Sequence, residues 1–297
     1  MTPPALSGWE HLRHGGLLLD PPRLRRIAEH VPPALPWFIE DQLRRSANAL
    51  RSGNQTASEF VTFVLRDVCD FRDERGTWLR GSSIGAEWSR PSFTGAAIKP
   101  RQLWRAERGG VLPVFIDASA RIGLGHGRKA ASEVVHWLRS GTERLAVLTN
   151  GRQWRLIFAG LDFDAFCEWD IDLWFSEGRL SPQVDALRTL LSPALWIHSG
   201  QDDTSPLIAA ILDSRKGQAE LSTLLGEREF LHRLPANLPQ RLLSRPPRPP
   251  DGTAVSGCVG TGPHSDPCDP RTESDCCGTR RRATGQPRRA TLAAHAP

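Results

Sequence analysis

A glycine-rich segment, Gly123-Leu-Gly-His-Gly127, has the composition of a loop that binds phosphate. It follows a predicted strand and precedes a helical pattern, and the first backbone N–H groups of such a helix can bind phosphate. The spacing fails the dinucleotide-binding pattern because the third glycine comes one residue early, and Lys129 is not followed by serine or threonine. We therefore interpret the segment as a tight connection or as a backbone contact to a nucleic-acid phosphate.

Three arginines are candidates for DNA contacts. Arg128 opens the predicted helix, and Arg152 and Arg155 follow a predicted turn. Arginine side chains commonly bind DNA phosphates. Each of the three also fits an ordinary solvated surface position, so the residue type alone leaves both interpretations open.

The apolar periodicity predicts the elements that must position these residues. Strands alternate with helices in an order that does not match a doubly wound nucleotide fold. We expect an α/β fold in which helices flank a mixed sheet. The predicted helices cover 21–50 with a break at Pro32-Pro33, 56–70, about 12 residues after Gly127, and 183–196; the predicted strands are 102–106, 111–117, 144–149, 153–158 and 166–173, with one more in the loop 71–100.

The most informative segment is Leu145-Ala-Val-Leu-Thr-Asn-Gly-Arg-Gln-Trp-Arg-Leu-Ile157. Its Asn-Gly pair predicts a tight β-hairpin, because both residues tolerate positive φ. The segment resembles the hairpin of the N-terminal nuclease-like domains of type I restriction subunits and type IIG restriction-modification proteins, which carry an adenine-specific DNA methyltransferase. Residues 214–228 are similar to the helical connector that leads to that methyltransferase. The resemblance covers about residues 10–228.

The resemblance implies a nuclease of the PD-(D/E)XK kind, with a restriction-endonuclease-like sheet. An Asp that opens one strand and an acid-x-Lys that ends the next would hold Mg²⁺. Here Arg101 stands where the first metal-binding Asp is expected, and the second strand ends at Asp117-Ala-Ser119, which lacks the lysine. Glu59, on the preceding helix, matches an accessory metal-binding acid.

Two interpretations of this motif follow. In the one we favour, the catalytic site has decayed and the domain positions DNA or acts as a scaffold beside a methyltransferase. In the other, Lys129 and Glu133 lie near Asp117 and rebuild a Mg²⁺-dependent endonuclease site. Lys129 and Glu133 are also spaced as a solvated i, i+4 ion pair, and Asp117 could simply cap the glycine-rich loop.

Composition divides the chain into four predicted parts. Residues 1–70 form an N-terminal helical region, 71–198 the α/β core, 199–234 a helical connector, and 235–297 a disordered Pro/Arg/Cys-rich tail. The tail holds nine arginines against five acids, so the rest of the chain is nearly neutral. The abrupt change near Gly226-Glu-Arg228 also fits a frameshift that truncates a longer protein.

We therefore predict a nuclease-like domain of a restriction-modification or phage-defence adenine-specific DNA methyltransferase, truncated before the methyltransferase. The expected partners are DNA and a separate methyltransferase or defence-system subunit. Mg²⁺ is expected only if the nuclease is active, and S-adenosylmethionine only in the full-length relative. No run of about 18 apolar residues predicts a membrane span, so we expect a cytoplasmic protein.

Overall fold

The computed structural model describes residues 8–29, 32–125, 127–176, 179–198 and 204–233, with residue 176 and residues 226–233 described by their backbone alone. All of these residues belong to one compact unit, Met1–Asn237. The strands are β1 Arg13–Gly15, β2 Gly76–Arg80, β3 Arg90–Pro91, β4 Ala97–Ile98, β5 Gln102–Ala106, β6 Val111–Ile116, β7 Leu145–Thr149, β8 Gln153–Ala159, β9 Asp164–Asp170, β10 Phe175–Ser176 and β11 Arg179–Leu180. The helices are α1 Pro21–Ala28, α2 Trp37–Arg51, α3 Ala57–Phe63, α4 Gly127–Arg139, α5 Pro182–Leu190, α6 Pro193–Trp196 and α7 Pro206–Arg233.

Seven strands form one mixed sheet in the order β1-β9-β8-β7-β6-β5-β2. Strands β6 and β7 are parallel, and α4 makes the crossover between them. The other neighbouring strands of this sheet are antiparallel. This arrangement confirms the predicted α/β fold with a mixed sheet flanked by helices.

The Asn-Gly hairpin forms between β7 and β8, as its sequence predicts. Gly151 adopts a φ of 86°, in the left-handed region that glycine reaches without a steric cost. The Asn150 side-chain oxygen accepts hydrogen bonds from the backbone N–H groups of Arg152, at 3.0 Å, and Gln153, at 2.7 Å. These bonds fix the turn and so the register of β8 against β7.

Several predicted boundaries differ from the structure. The helix predicted over 183–196 is two helices, α5 and α6, because Pro193 disfavours a helical conformation at Ser192. The segment predicted as one helix over 56–70 consists of α3 followed by one π-helical turn, Val64–Val68. Within 71–100 the structure has β2 and a small β3–β4 hairpin. Strand β1 was not predicted.

The sheet carries an apolar cluster on each face. On one face, Trp104, Val147 and Trp154 pack with side chains from α1, α2, α3, α5 and α7. On the other, Leu148 and Ile157 belong to a cluster with residues of α4. The predicted N-terminal region, core and connector thus share a single compact unit.

Trp137, Trp154 and Trp169 lie in the core, where each is at most 1% exposed. The described helices include none that is both long and apolar enough to span a membrane. The tail predicted over 235–297 lies outside the described residues.

Candidate functional site

An open cavity of about 680 Å³ lies where β5 begins and β6 ends. Residues from the start of α3, the end of β2, the loop after β6 and the β7–β8 turn complete its wall. We call this cavity the arginine cleft, after the three arginines in its lining; its charged residues are Arg80, Arg101, Arg152 and Asp117.

The arginine cleft carries an excess of positive charge. Arg80, Arg101 and Arg152 are exposed, and Asp117 is half-buried. The Arg152 guanidinium lies 3.2 Å from a carboxylate oxygen of Asp172. In the part of the chain that the structure describes, Arg80 and Arg101 form no ion pair. A cleft with unpaired arginines attracts anions, and phosphate suits the geometry of the guanidinium group.

Hydrogen bonds to the hairpin fix the loop that carries Asp117. The Asn150 side-chain amide donates to the carbonyl of Ser119 at 2.9 Å. The backbone N–H of Asp117 donates to the carbonyl of Thr149 at 2.9 Å, and the Asp117 carboxylate accepts from the N–H of Ser119 at 3.1 Å. The hairpin that carries the family resemblance therefore also shapes the cleft.

A second cavity of about 390 Å³ adjoins the first. The two cavities share four lining residues, Gly81, Arg101, Ile116 and Asp117. The second cavity also has Glu133 and Lys99 in its lining, together with apolar side chains from β4, β6, β7 and α4. Arg101 and Asp117 thus line both the cationic cleft and a second cavity in which charged and apolar side chains are mixed.

The structure brings only two of the three predicted catalytic residues to one cavity. Asp117 and Glu133 both line the second cavity, but Lys129 is in the lining of neither. The Lys129 ammonium lies 3.7 Å from the Glu133 carboxylate, and its side chain is 65% exposed. This is the solvated i, i+4 pair that the spacing also allowed. Lys99 is the lysine that lines the second cavity.

The predicted accessory acid Glu59 serves as a helix cap. Its carboxylate accepts from the backbone N–H and the hydroxyl of Thr56, at 2.9 and 2.8 Å, in a capping box at the start of α3. These hydrogen bonds lower the pKa of Glu59. Among the described residues, no three His, Cys, Asp or Glu side chains converge as metal ligands. The pair Asp117 and Glu59, predicted to hold a metal, is not brought together in either cavity.

The three predicted DNA-binding arginines lie in different surroundings. Arg152 lines the arginine cleft, and Arg128 is exposed on α4 outside both cavities. Arg155 is buried, and its Nε donates to the Glu168 carboxylate at 2.8 Å. Its guanidinium also lies over the Phe166 ring, 4.0 Å from the centroid. Arg155 is therefore part of the interior and is not accessible to a DNA phosphate.

The glycine-rich segment forms a tight connection. The N–H of Gly123 donates to the carbonyl of Gly127, and the N–H of Gly127 donates to the carbonyl of Leu124. The N–H of Arg128 donates to the carbonyl of Gly125. These amides are used within the loop, which leaves them unavailable to a phosphate; His126 lies outside the described residues.

Comparison with known proteins identified no relative of this chain. No family model matches the sequence, and neither a curated protein nor a solved structure matches the chain. The resemblance to restriction proteins therefore depends on the hairpin and the connector motif.

Sequence reasoning missed Arg80 in the arginine cleft and Lys99 in the second cavity. Arg80 and Lys99 fall in the stretch 71–100, which has no clear period, so nothing in their spacing placed them beside Asp117. Arg101 was noticed only as the residue that replaces an expected acid. The single usable signal was that Arg101 and Asp117 lie at the facing ends of two adjacent strands.

Proposed function

We propose that this domain binds DNA phosphates in the arginine cleft without cutting the DNA. In this role it positions DNA, or serves as a scaffold, for an adenine-specific DNA methyltransferase of a restriction-modification or phage-defence system. The observation that carries the proposal is Arg101, which faces the cleft at the position where the resemblance expects a metal-binding acid. This replacement exchanges a metal ligand for a phosphate ligand.

The charge of the cleft supports the same function. Asp117 is the one acid in the lining, and among the described residues Arg80 and Arg101 form no ion pair, whereas Arg152 is paired with Asp172. The donor set does not fit the Mg²⁺ site that the resemblance implies, because the first acid is an arginine and the lysine two residues after Asp117 is replaced by Ser119. S-adenosylmethionine and the methyl transfer would belong to a separate methyltransferase or to a full-length relative. We infer a cytoplasmic location, where foreign DNA is encountered.

The test is binding of a fluorescent duplex to the full chain, measured by anisotropy. The Arg80→Ala/Arg101→Ala variant should bind at least about tenfold more weakly than the unaltered chain, a loss of about 1.4 kcal/mol. Arg45→Ala is the matched control, because Arg45 is 74% exposed on α2, outside the cleft, and forms a surface pair with Asp41. Equal affinity of the two variants would reject the cleft as the DNA site.

A second candidate is a Mg²⁺-dependent endonuclease with a rearranged site. The observation in its favour is that Asp117 and Glu133 line one cavity together with Lys99. Mg²⁺ is commonly held by one or two carboxylates and a substrate phosphate, so Asp117 and Glu133 would be its protein ligands. When bound, the ion would lower the pKa of an attacking water and stabilise charge on the phosphate.

Cleavage of plasmid DNA separates the two candidates. The full chain is incubated with unmethylated plasmid in Mg²⁺ and in Mn²⁺, beside the Asp117→Ala variant. The proposed function predicts intact plasmid in every reaction. Nicking or linearisation that disappears in Asp117→Ala would establish the endonuclease in its place.

A further inference from the structure

The two adjoining cavities differ in their balance of charge, as the phosphate and the base of a nucleotide do. The arginine cleft is cationic and open. The second cavity combines apolar side chains, Ile98, Phe115, Val134 and Leu148, with balanced charges, Lys99 and Arg101 against Asp117 and Glu133. Arg101 lines both cavities, so an anion bound by Arg101 lies beside the second cavity.

The size of the second cavity excludes a duplex. Pockets of about 300–1,000 Å³ hold small organic groups, and the second cavity has a volume of about 390 Å³. A double helix, whose major groove alone is about 12 Å wide, cannot enter such a space. A single base that has left its stack can enter it.

Glu133, the carboxylate that lines the second cavity but not the arginine cleft, has the chemistry to recognise a base. Glu133 has a side chain that is 19% exposed, and its partner Lys129 is 3.7 Å away, beyond normal hydrogen-bond distance. A glutamate can accept a hydrogen bond from the exocyclic amine of cytosine. A base that carries an amine would thus satisfy Glu133, while its ring packs against the apolar wall.

We propose that the joined cavities bind one unpaired nucleotide of DNA, with its phosphate at Arg101 and its amine-bearing base in the second cavity. The substrate class is then DNA with an overhang, a bulge or a single-stranded segment. This inference rests on the proposed DNA-binding function and adds what part of the DNA is bound.

The decisive measurement compares four labelled DNAs on the full chain. One is a blunt duplex, and the others carry a one-nucleotide 3′ overhang that is cytosine, thymine or an abasic sugar. The cytosine overhang should bind at least about tenfold more tightly than the blunt duplex. The abasic overhang should bind like the blunt duplex, and the thymine overhang, which lacks the amine, should lie between them.

Two variants of α4 test the position of the base. Ala130→Phe adds a ring to the lining of the second cavity, whereas Ser132→Phe adds the same ring at an exposed position outside both cavities. Ala130→Phe should abolish the preference for the overhang and keep the affinity for the blunt duplex. Ser132→Phe should keep both. Melting temperatures confirm that each variant is folded.

The outcomes separate this inference from the proposed function. If the blunt duplex binds through Arg101 but overhangs gain nothing, the proposed function stands and the base pocket is rejected. If no DNA binds, both are rejected. If free deoxycytidine monophosphate displaces the overhang at a similar concentration, the site is one for free nucleotides and the assignment to DNA is overturned.

Discussion

Glu168 forms ion pairs with two arginines of the sheet, and its replacement should lower the free energy of unfolding. In the sheet register, Glu168 lies opposite Arg155 on β8 and opposite Arg13 on β1. Its carboxylate accepts from Arg155 Nε at 2.8 Å and from Arg13 Nη1 at 2.9 Å. The side chains of Glu168 and Arg155 are 2% and 6% exposed. Glu168→Gln therefore leaves the Arg155 charge buried without a counter-charge.

The expected loss can be estimated from the burial of this pair. Breaking a buried ion pair by removing one partner costs about 3–5 kcal/mol. A domain of this size loses roughly 2–4 °C of melting temperature per kcal/mol, so the Tm should fall by about 6–20 °C. Differential scanning fluorimetry measures this shift. Asp164→Asn is the control, because it breaks the exposed pair of Asp164 with Arg139 and should cost at most about 1 kcal/mol.

The double variant Arg155→Met/Glu168→Leu separates charge from packing. Apolar residues of similar volume often replace a buried pair without loss, so this variant should recover much of the stability lost in Glu168→Gln. A Glu168→Gln shift no larger than that of Asp164→Asn would refute the argument that Arg155 has a structural role.

Three further predictions follow from local geometry. Thr56→Ala removes the hydroxyl of the capping box with Glu59 and should lower the free energy of unfolding by about 1 kcal/mol in urea titrations; an unchanged midpoint would contradict the cap. Gly151→Ala forces a side chain into a φ of 86° and should cost at least about 1 kcal/mol in the same assay, whereas a neutral effect would mean that the turn relaxes. Burial raises the pKa of Cys69 to about 12 and raises that of Cys167. Because the reactive thiolate forms only as the pH rises toward the pKa, both cysteines should resist alkylation at pH 8 in the native protein and react after unfolding. Peptide mass spectrometry locates the alkylated cysteines in each state. Rapid native labelling at either cysteine would show that it is not buried.

Local signals in the sequence were sufficient to predict strands β5 to β9, five of the seven strands of the sheet. The Asn150-Gly151 turn fixed the β7–β8 hairpin, and the continuous apolar run at Val111–Ile116 marked a strand that is buried in the sheet. Strand β1 was missed because three residues have no detectable period and pair only with β9, more than 150 residues away. Its position depends on tertiary pairing.

The site was less predictable than the fold, because charge state and exposure depend on partners distant in sequence. Arg155 has the residue type of a phosphate ligand, yet it is buried, and its guanidinium is paired with the carboxylate of Glu168 on the neighbouring strand. Lys129 and Glu133 have the i, i+4 spacing of a surface ion pair. In the structure the exposed Lys129 ammonium lies 3.7 Å from the Glu133 carboxylate. Arg80 reaches the cleft from a strand whose sequence has no clear alternation.

The salt dependence of DNA binding tests the central claim most directly. Each phosphate that the protein neutralises contributes about 0.9 to the slope of log affinity against log salt concentration. The slope for Arg101→Ala on a duplex should therefore be smaller than that of the unaltered chain by about 0.9, whereas Arg45→Ala should leave it unchanged. Identical slopes for the unaltered chain and Arg101→Ala would show that Arg101 contacts no phosphate and would contradict the proposed function of the cleft.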